Sequence, residues 1–311
     1  MKTSSKAWGY LLAAVAAAAY GTNPAFAVPL YDAEGMNAAS VLLFRYLMGL
    51  PILAALMAWR GTGFALSRNE WLPVGTLGVL MALSSLGLFE SYKWMNSGVA
   101  STLLFVYPVM VALLMALFFH ERLRLSLGIC LAVMGAGLAL LMRQEPGMEL
   151  SVYGCLLVGI SALTYALYII MVNVSARIRA IPTTRLLFYV LLSGSFVFVA
   201  LFLAGTPLTM PSAPLGWVNL GCLALIPTVI SLACTTRAIQ LIGSTPTAIL
   251  GALEPVAAVV LSVIVLHQTL TGREIVGGIL ILAAAVIVIV GEPIDKALLH
   301  VRRMFPRRSQ R

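Results

Sequence analysis

The sequence predicts an all-α polytopic membrane protein with ten transmembrane helices in two inverted five-helix repeats. Three observations carry that expectation. Of the 311 residues, 61% are hydrophobic and 10% charged, and the mean hydropathy is +1.00, whereas a soluble domain carries about 25% charged residues. About ten apolar stretches follow one another, each close to the roughly 20 residues that a helix needs to cross the hydrocarbon core. The second group of five repeats features of the first.

The stretches are runs between charge or turn signals. The first five are expected at 8–30, 38–59, 71–95, 99–119 and 125–142, and the second five at 152–173, 184–204, 215–238, 245–266 and 272–291. They lack the polar alternation of a barrel, and backbone groups in lipid must find partners within the chain, so helices are the expected form. The organisation is then a first repeat over 1–142, an external linker over 143–151, a second repeat over 152–291 and a basic tail over 292–311. The connections are too short to hold a soluble catalytic domain.

Lys2, Lys6, Arg60, Arg68, Arg122, Arg124, Arg177, Arg179, Arg185 and the tail cations Lys296, Arg302, Arg303, Arg307, Arg308 and Arg311 fall at helix ends of one parity. The opposite loops carry Arg143 and Arg273 beside Asp32, Glu34, Glu145 and Glu149. The positive-inside rule therefore places both termini in the cytoplasm. A formal net charge of +9 does not point to nucleic acid. The tail, with Leu298, Leu299, Val301, Met304 and Phe305 among its cations, either lies against anionic lipid or is simply solvated.

A basic start, an apolar run and Ala25-Phe26-Ala27 imitate a secretory signal with its cleavage site. Asn23 and Pro24 are out of place in such a signal, and removal would destroy the five-plus-five arrangement, so the segment is expected to stay. Cys130, Cys155, Cys222 and Cys234 lie within the apolar runs without disulfide or zinc spacing and read as small packing residues.

The repeat is clearest where Tyr107-Pro108-Val109 through His120-Glu121-Arg122-Leu123 aligns without a gap on Glu254-Pro255-Val256 through His267-Gln268-Thr269-Leu270. Leu114 meets Leu261 in that register, and Ser97 meets Ser244. The first and sixth stretches share Gly9 with Gly154 and Tyr20 with Tyr165 at a slightly different offset, while the second and seventh match poorly. A unit with an odd number of crossings hands the chain to the opposite side, so the second unit is inverted. Two similar units facing opposite ways can exchange conformations and open one site alternately to each side, which is a physical argument for transport.

These residues also resemble a known family. The Phe44-Arg45-Tyr46 signal, the stretch Tyr92, Asn96-Ser97-Gly98-Val99-Ala100-Ser101 leading to Tyr107-Pro108, and Ala248 to Glu254-Pro255 with Gly277 are similar to the EamA family of the drug/metabolite transporter superfamily. The resemblance runs from Trp8 to Gly291, and the seventh stretch departs most from the pattern. It implies a ten-helix carrier of the bacterial inner membrane, usually exporting amino acids or other small metabolites through a cavity between its halves.

Ionisable groups within the spans are functional candidates because lipid makes them costly: Arg45, Glu90, Lys93, Arg237 and Glu254. Glu254 lies near the middle of its stretch, ahead of Pro255, which removes a backbone donor and frees carbonyls one turn earlier. A carboxyl there suits proton coupling or recognition of a substrate amine; the alternative is a protonated side chain hydrogen-bonded to a neighbouring helix. Tyr107 and Pro108 are its repeat counterparts, and Asn23-Pro24 is a third interruption at mid-depth. Convergent irregular backbone points to a cavity, expected to hold Tyr20, Tyr107, Tyr165 and Tyr168 around one carboxylate. Pro51 and Pro227 read as packing kinks.

Arg45 and Glu90 sit roughly 8 to 10 Å from the outer helix ends at 1.5 Å per residue, and Lys93 lies one turn from Glu90. They form a structural ion pair, an outer gate or an anionic-substrate contact. Arg237 is expected to snorkel. His120 and His267 fall at opposite faces and read as interfacial caps, not as a shared metal site. Gly135-Ala136-Gly137 and Gly277-Gly278 with Ala283 to Ala285 follow no strand and precede no phosphate-binding Lys, so they read as close helix packing.

No nucleophile-base or metal-protease constellation appears, which argues against an enzyme, and no cofactor or ATP motor is expected. The expectation is a secondary exporter of small metabolites, with neutral or aromatic amino acids as substrate and the proton as coupling ion. The competing reading is a lipid-handling or sensory membrane protein without solute flux.

Overall fold

The computed structural model describes residues 3–95, 97–120, 125–141, 151–257, 260, 272–273 and 275–287. Asn96, Glu121, Arg122, Arg124, the linker 143–150, His267 and the tail 292–311 lie outside the described residues. No strand occurs among the described residues. Six helical stretches are long and apolar enough to cross a membrane: Ser5–Asp32, Ala38–Trp59, Arg68–Ser91, Val152–Val174, Thr183–Leu203 and Pro214–Ile242. The other expected crossings are represented by shorter apolar pieces.

The first span is broken. Helix α1 (Thr3–Tyr20) ends and α2 (Asn23–Asp32) begins across Gly21 and Thr22. Pro24 brings no N–H to the ladder, and the Thr22 hydroxyl donates to the Ala19 carbonyl at 2.7 Å. Helix α3 (Ala38–Trp59) starts at Asn37, whose side chain accepts from the Ser40 N–H at 2.8 Å. It runs through Pro51 without a break. Helix α4 (Arg68–Ser91) opens with a Ser67/Glu70 capping box. It stops short of the expected Met95 because Lys93 and Trp94 donate back to Glu90 and Ser91 in a closing turn.

The fourth expected span is two pieces, α5 (Ser97–Leu104) and α6 (Tyr107–Phe119), with Pro108 in the first turn of the second. His120 occupies the C-cap of α6 in the left-handed conformation, φ 54°. Helix α7 covers Leu125–Leu141. Helix α8 (Val152–Val174) is capped by Ser151 and is unbroken, unlike the first span. The short α9 (Ala176–Ala180) leads into α10 (Thr183–Leu203). The next span begins as α11 (Pro214–Leu223), widens into a π-helical segment (Ala224–Ile230) that contains Pro227, and resumes as α12 (Ser231–Ile242). Helix α13 (Ser244–Leu250) breaks at Gly251 and Ala252, after which 253–257 is helical again. A last described helix, α14, covers Ile275–Ile287.

Leu117, Phe118, Ile160, Phe196 and Val218 face outward and are exposed, as lipid-facing side chains are. Inside, α4 packs along α8, α1 along α12, and α10 against both α3 and α4. Glycines set some of these approaches. A Cβ at Gly9 would stand 2.6 Å from Ile242 Cγ2, and one at Gly154 would stand 2.5 Å from Met95 Cε. The two positions that align between the repeats thus make the same kind of contact, α1 on the end of α12 and α8 on the end of α4. Arg237, near the end of α12, is exposed and donates to Gln240 Oε1 at 3.0 Å.

The α4–α10 crossing offers a sharp test. A Cβ at Gly78 would lie 2.6 Å from the Val190 carbonyl oxygen and 2.9 Å from the Gly194 nitrogen, both backbone atoms, whereas Gly75 has nothing within 4 Å. Gly78→Ala is expected to destabilise the protein by about 1–3 kcal/mol. Gly75→Ala, one turn away, is expected to be neutral or slightly stabilising. Thermal unfolding of the two variants in detergent checks the contrast.

Candidate functional site

Among the described residues, two polar clusters in the interior are built from helix interruptions. The first surrounds a cavity of about 20 Å³, room for about one water molecule. Tyr20 at the end of α1, Tyr107 at the start of α6, Tyr165 of α8 and Glu254 line it, together with Ser231, Thr235, Thr247 and Gly251. The break at Gly251 and Ala252 brings Glu254 to the wall, where its N–H donates to the Gly251 carbonyl at 2.9 Å. Tyr107 crosses from the first half into the second: its hydroxyl donates to the Ala248 carbonyl at 3.0 Å and lies where a Gly251 side chain would project. Its ring meets Tyr165 edge-on at 4.9 Å.

Of the residues expected around one carboxylate, Tyr20, Tyr107, Tyr165 and Glu254 are brought together. Tyr168 is not at the wall. It stacks behind Tyr165 at 6.2 Å, is fully buried, and meets the Thr236 hydroxyl at 3.5 Å. Pro108 and Pro255 shape the breaks on either side of the cavity without lining it.

The second cluster is centred on Arg45, which is 1% exposed. Its guanidinium donates from Nε to Thr228 Oγ1, from Nη1 to Asn23 Oδ1 at 3.1 Å and from Nη2 to the Pro227 carbonyl at 3.3 Å. The Thr228 hydroxyl donates in turn to the Leu223 carbonyl at 2.7 Å, which leaves its lone pairs free to face the cation. Two rings flank the guanidinium, Phe89 at 5.7 Å and Tyr20 at 5.9 Å from their centroids, within cation–π reach. Tyr20 therefore touches both Arg45 and the cavity.

Arg45 does not pair with Glu90. Its side chain turns into the bundle toward the interrupted helices, whereas Glu90 lies at the outer end of α4 and pairs with Lys93, Nζ to Oε2 at 2.7 Å. Both partners of that pair are partly exposed, and such pairs add little stability. Asn23 belongs to the Arg45 cluster and not to the cavity wall. Pro227 is more than a packing kink: the π-helical turn around it supplies the carbonyl and the threonine that hold Arg45. The sequence signal was present, an interrupting proline next to a hydroxyl residue, but nothing in one chain read linearly connects Pro227-Thr228 with Arg45.

Beyond these clusters, the loops at the Glu34 end join the two halves. The Glu34 carboxylate accepts from Ser212 Oγ at 2.6 Å, from Ser212 N at 2.7 Å and from Ala213 N at 3.3 Å, just ahead of α11. Beside it the Asn37 amide donates to the Pro207 carbonyl at 2.6 Å, and the Thr209 N–H donates to Ser40 Oγ at 2.9 Å. Hydrogen bonds from Ser212 hold the Glu34 carboxyl below the usual carboxylate range, as donors aimed at the charged form do.

Two outcomes are expected. Thr228→Val removes the Nε acceptor from a buried cation and should cost about 1–3 kcal/mol, read as a lowered unfolding temperature. For Glu34 the folded-state shift is downward, so the clasp contributes fully above the ordinary carboxylate range and is lost as pH falls through and below it. The melting-temperature difference between wild type and Glu34→Gln should therefore be largest near neutral pH and shrink in acid.

Comparison with known proteins agrees with this architecture. A crystal structure of a protein superposes with a TM-score of 0.73 at 18% identity, covering 93% of this chain and 98% of that one; at that identity the likeness concerns the fold. A protein of Synechocystis sp. named an uncharacterized transporter is 27% identical over 258 residues, 76% of this chain and 75% of that protein. The model of the EamA-like transporter family matches residues 7–143 and again 152–290. With its apolar spans and its doubled match, the chain belongs to the EamA-like transporter family and is a multi-pass membrane transporter.

Proposed function

We propose that this transporter is a secondary carrier that exports neutral or aromatic amino acids from a bacterial cytoplasm by alternating access of two inverted five-helix repeats. The observation that carries the reading is the cavity itself: one carboxylate, Glu254, lines it together with Tyr20, Tyr107 and Tyr165 where three spans are interrupted. A carboxylate suits the ammonium group of an amino acid or a coupling proton, and the tyrosines supply faces for an apolar or aromatic side chain.

The inverted arrangement draws support from paired contacts. The packing of α8 on α4 corresponds to that of α1 on α12, and α3 and α10 pack on each other between them. The family match falls on two successive stretches, 7–143 and 152–290. The end bearing Arg60, Arg68, Arg177, Arg179 and Arg185 is the cytoplasmic one by charge, which makes the Glu34 clasp external. Alternating access then requires this clasp to open when the cavity faces outward.

Counterflow of labelled amino acids into proteoliposomes tests the reading, with Glu254→Gln beside wild type. Saturable exchange by wild type, reduced about tenfold or more in the variant, is the expected result for a charge used in binding or coupling. Equal exchange in both would keep the carrier and remove Glu254 from its cycle. Absence of exchange by folded wild type across the amino acids would reject the substrate class.

A further inference from the structure

Three hydroxyls that line the Glu254 cavity give their protons to backbone carbonyls. Ser231 donates to the Ala16 carbonyl at 2.9 Å, Thr247 to the Gly243 carbonyl at 2.7 Å and Tyr107 to the Ala248 carbonyl at 3.0 Å. A hydroxyl has one proton, so what these three still offer is lone pairs. Glu254 adds a carboxylate, which has only acceptors when ionised. Much of the wall is thus built to receive a species that carries positive charge.

The backbone acts in the same sense. Tyr20 is the last residue of α1, and Ala16, Ala17 and Tyr20 all line the cavity, so the partially negative end of that helix falls there. The break at Gly251 brings the end of the short α13 to the same wall. The start of α6 at Tyr107 opposes them with a partial charge of the other sign, which the full charge of the carboxylate outweighs. Arg45 directs its hydrogen bonds to Asn23, Thr228 and the Pro227 carbonyl, and neither these groups nor the idle Asn23 Nδ2 line the cavity.

Charge and size narrow the ligand. Among the described residues no group of three His, Cys, Asp or Glu side chains stands together. One carboxylate among neutral oxygens suits a monovalent ion, because divalent ions draw on several carboxylates. The cavity of about 20 Å³ holds about one water, and a bare sodium ion is no larger than that. Interrupted membrane helices hold coupling ions in this way, with unwound backbone and helix C-terminal ends turned to the cation.

We propose that the Glu254 cavity is a sodium site, and that sodium and the ammonium group of the substrate occupy the carboxylate in turn, so that export is an exchange for sodium. The inference rests on the carrier reading above and names the ion of the same site. One carboxylate pairs with one cation at a time, and that exclusion is what couples the two fluxes.

The test uses the purified full chain at one fixed pH, in sodium chloride or in N-methylglucamine chloride of equal ionic strength, whose cation is too large for the cavity. Thermal unfolding reads binding without transport. Sodium should raise the unfolding temperature, with the rise following the logarithm of its concentration once the site fills. The rise should be absent in Glu254→Gln. In Thr247→Val, which removes one lone-pair ligand and keeps the carboxylate, it should need about fivefold more sodium. In counterflow by wild type, sodium should raise the half-saturating concentration of the amino acid and leave the maximal rate unchanged, as competition requires.

Equal unfolding temperatures in the two salts, or a sodium effect of the same size in Glu254→Gln, would overturn the sodium site, and persisting counterflow would leave the carrier reading standing. Counterflow that ignores sodium but follows pH would put a proton in its place. A lowered maximal rate with unchanged half-saturation would overturn the exchange. Loss of all counterflow by folded wild type would overturn the carrier reading, and the unfolding temperatures of wild type and Glu254→Gln would still decide the site.

Discussion

An arginine that cannot shed its charge is buried between apolar helices, and much of the interior is arranged to tolerate it. Arg45 draws acceptors from spans far apart in sequence. Asn23 stands where the first span breaks, and Pro227 and Thr228 stand where the eighth widens into a π-helix. A regular helix offers no free carbonyl at mid-span, because each one is used within its own ladder. The irregular turns are therefore the means by which a membrane helix can present polar backbone and side-chain atoms to a buried cation.

The same device produces the cavity that Tyr20 lines. Interruptions before Pro108 and Pro255 expose the Ala248 carbonyl to Tyr107 and bring Glu254 to the wall. The cation and the carboxylate do not meet in an ion pair among the described residues, and Tyr20 contacts the guanidinium and lines the cavity. The cavity has room for about one water, so the proposed cycle requires it to widen to admit an amino acid. The Glu34 clasp, solvent-accessible and made of a few hydrogen bonds, is a contact such a motion can break at modest cost.

The linear chain exposed a large part of this. Hydropathy located the spans, because lipid leaves a long apolar run few alternatives to a helix. The aligned Tyr107-Pro108 and Glu254-Pro255 signals located two breaks, since a missing N–H interrupts a helix wherever it falls. Tyr20, Tyr107, Tyr165 and Glu254 meet around one cavity, as their mid-span positions suggested. Tyr168 fails that rule because one turn from Tyr165 does not mean the same depth of exposure: it stacks behind its neighbour. The Arg45–Glu90 pairing fails for a related reason. Equal depth on neighbouring helices leaves the rotation of each helix undetermined, and α3 turns Arg45 inward while Glu90 stays at the rim with Lys93.

By itself, then, the sequence determined composition-level and local properties: the membrane class, the positions of most spans, the doubled family pattern and the places where prolines break helices. These follow from hydrophobicity and backbone chemistry, which act within a few residues. Tertiary structure alone decided which interrupted helices face one another, that Pro227 and Thr228 serve Arg45, that Asn23 is left with an idle donor, and that Glu34 reaches Ser212. Those facts depend on the rotation and translation of packed helices, set by close approaches such as Gly78 on α10 and Gly9 on α12, and helix packing of this kind leaves no periodic mark in a uniformly apolar sequence.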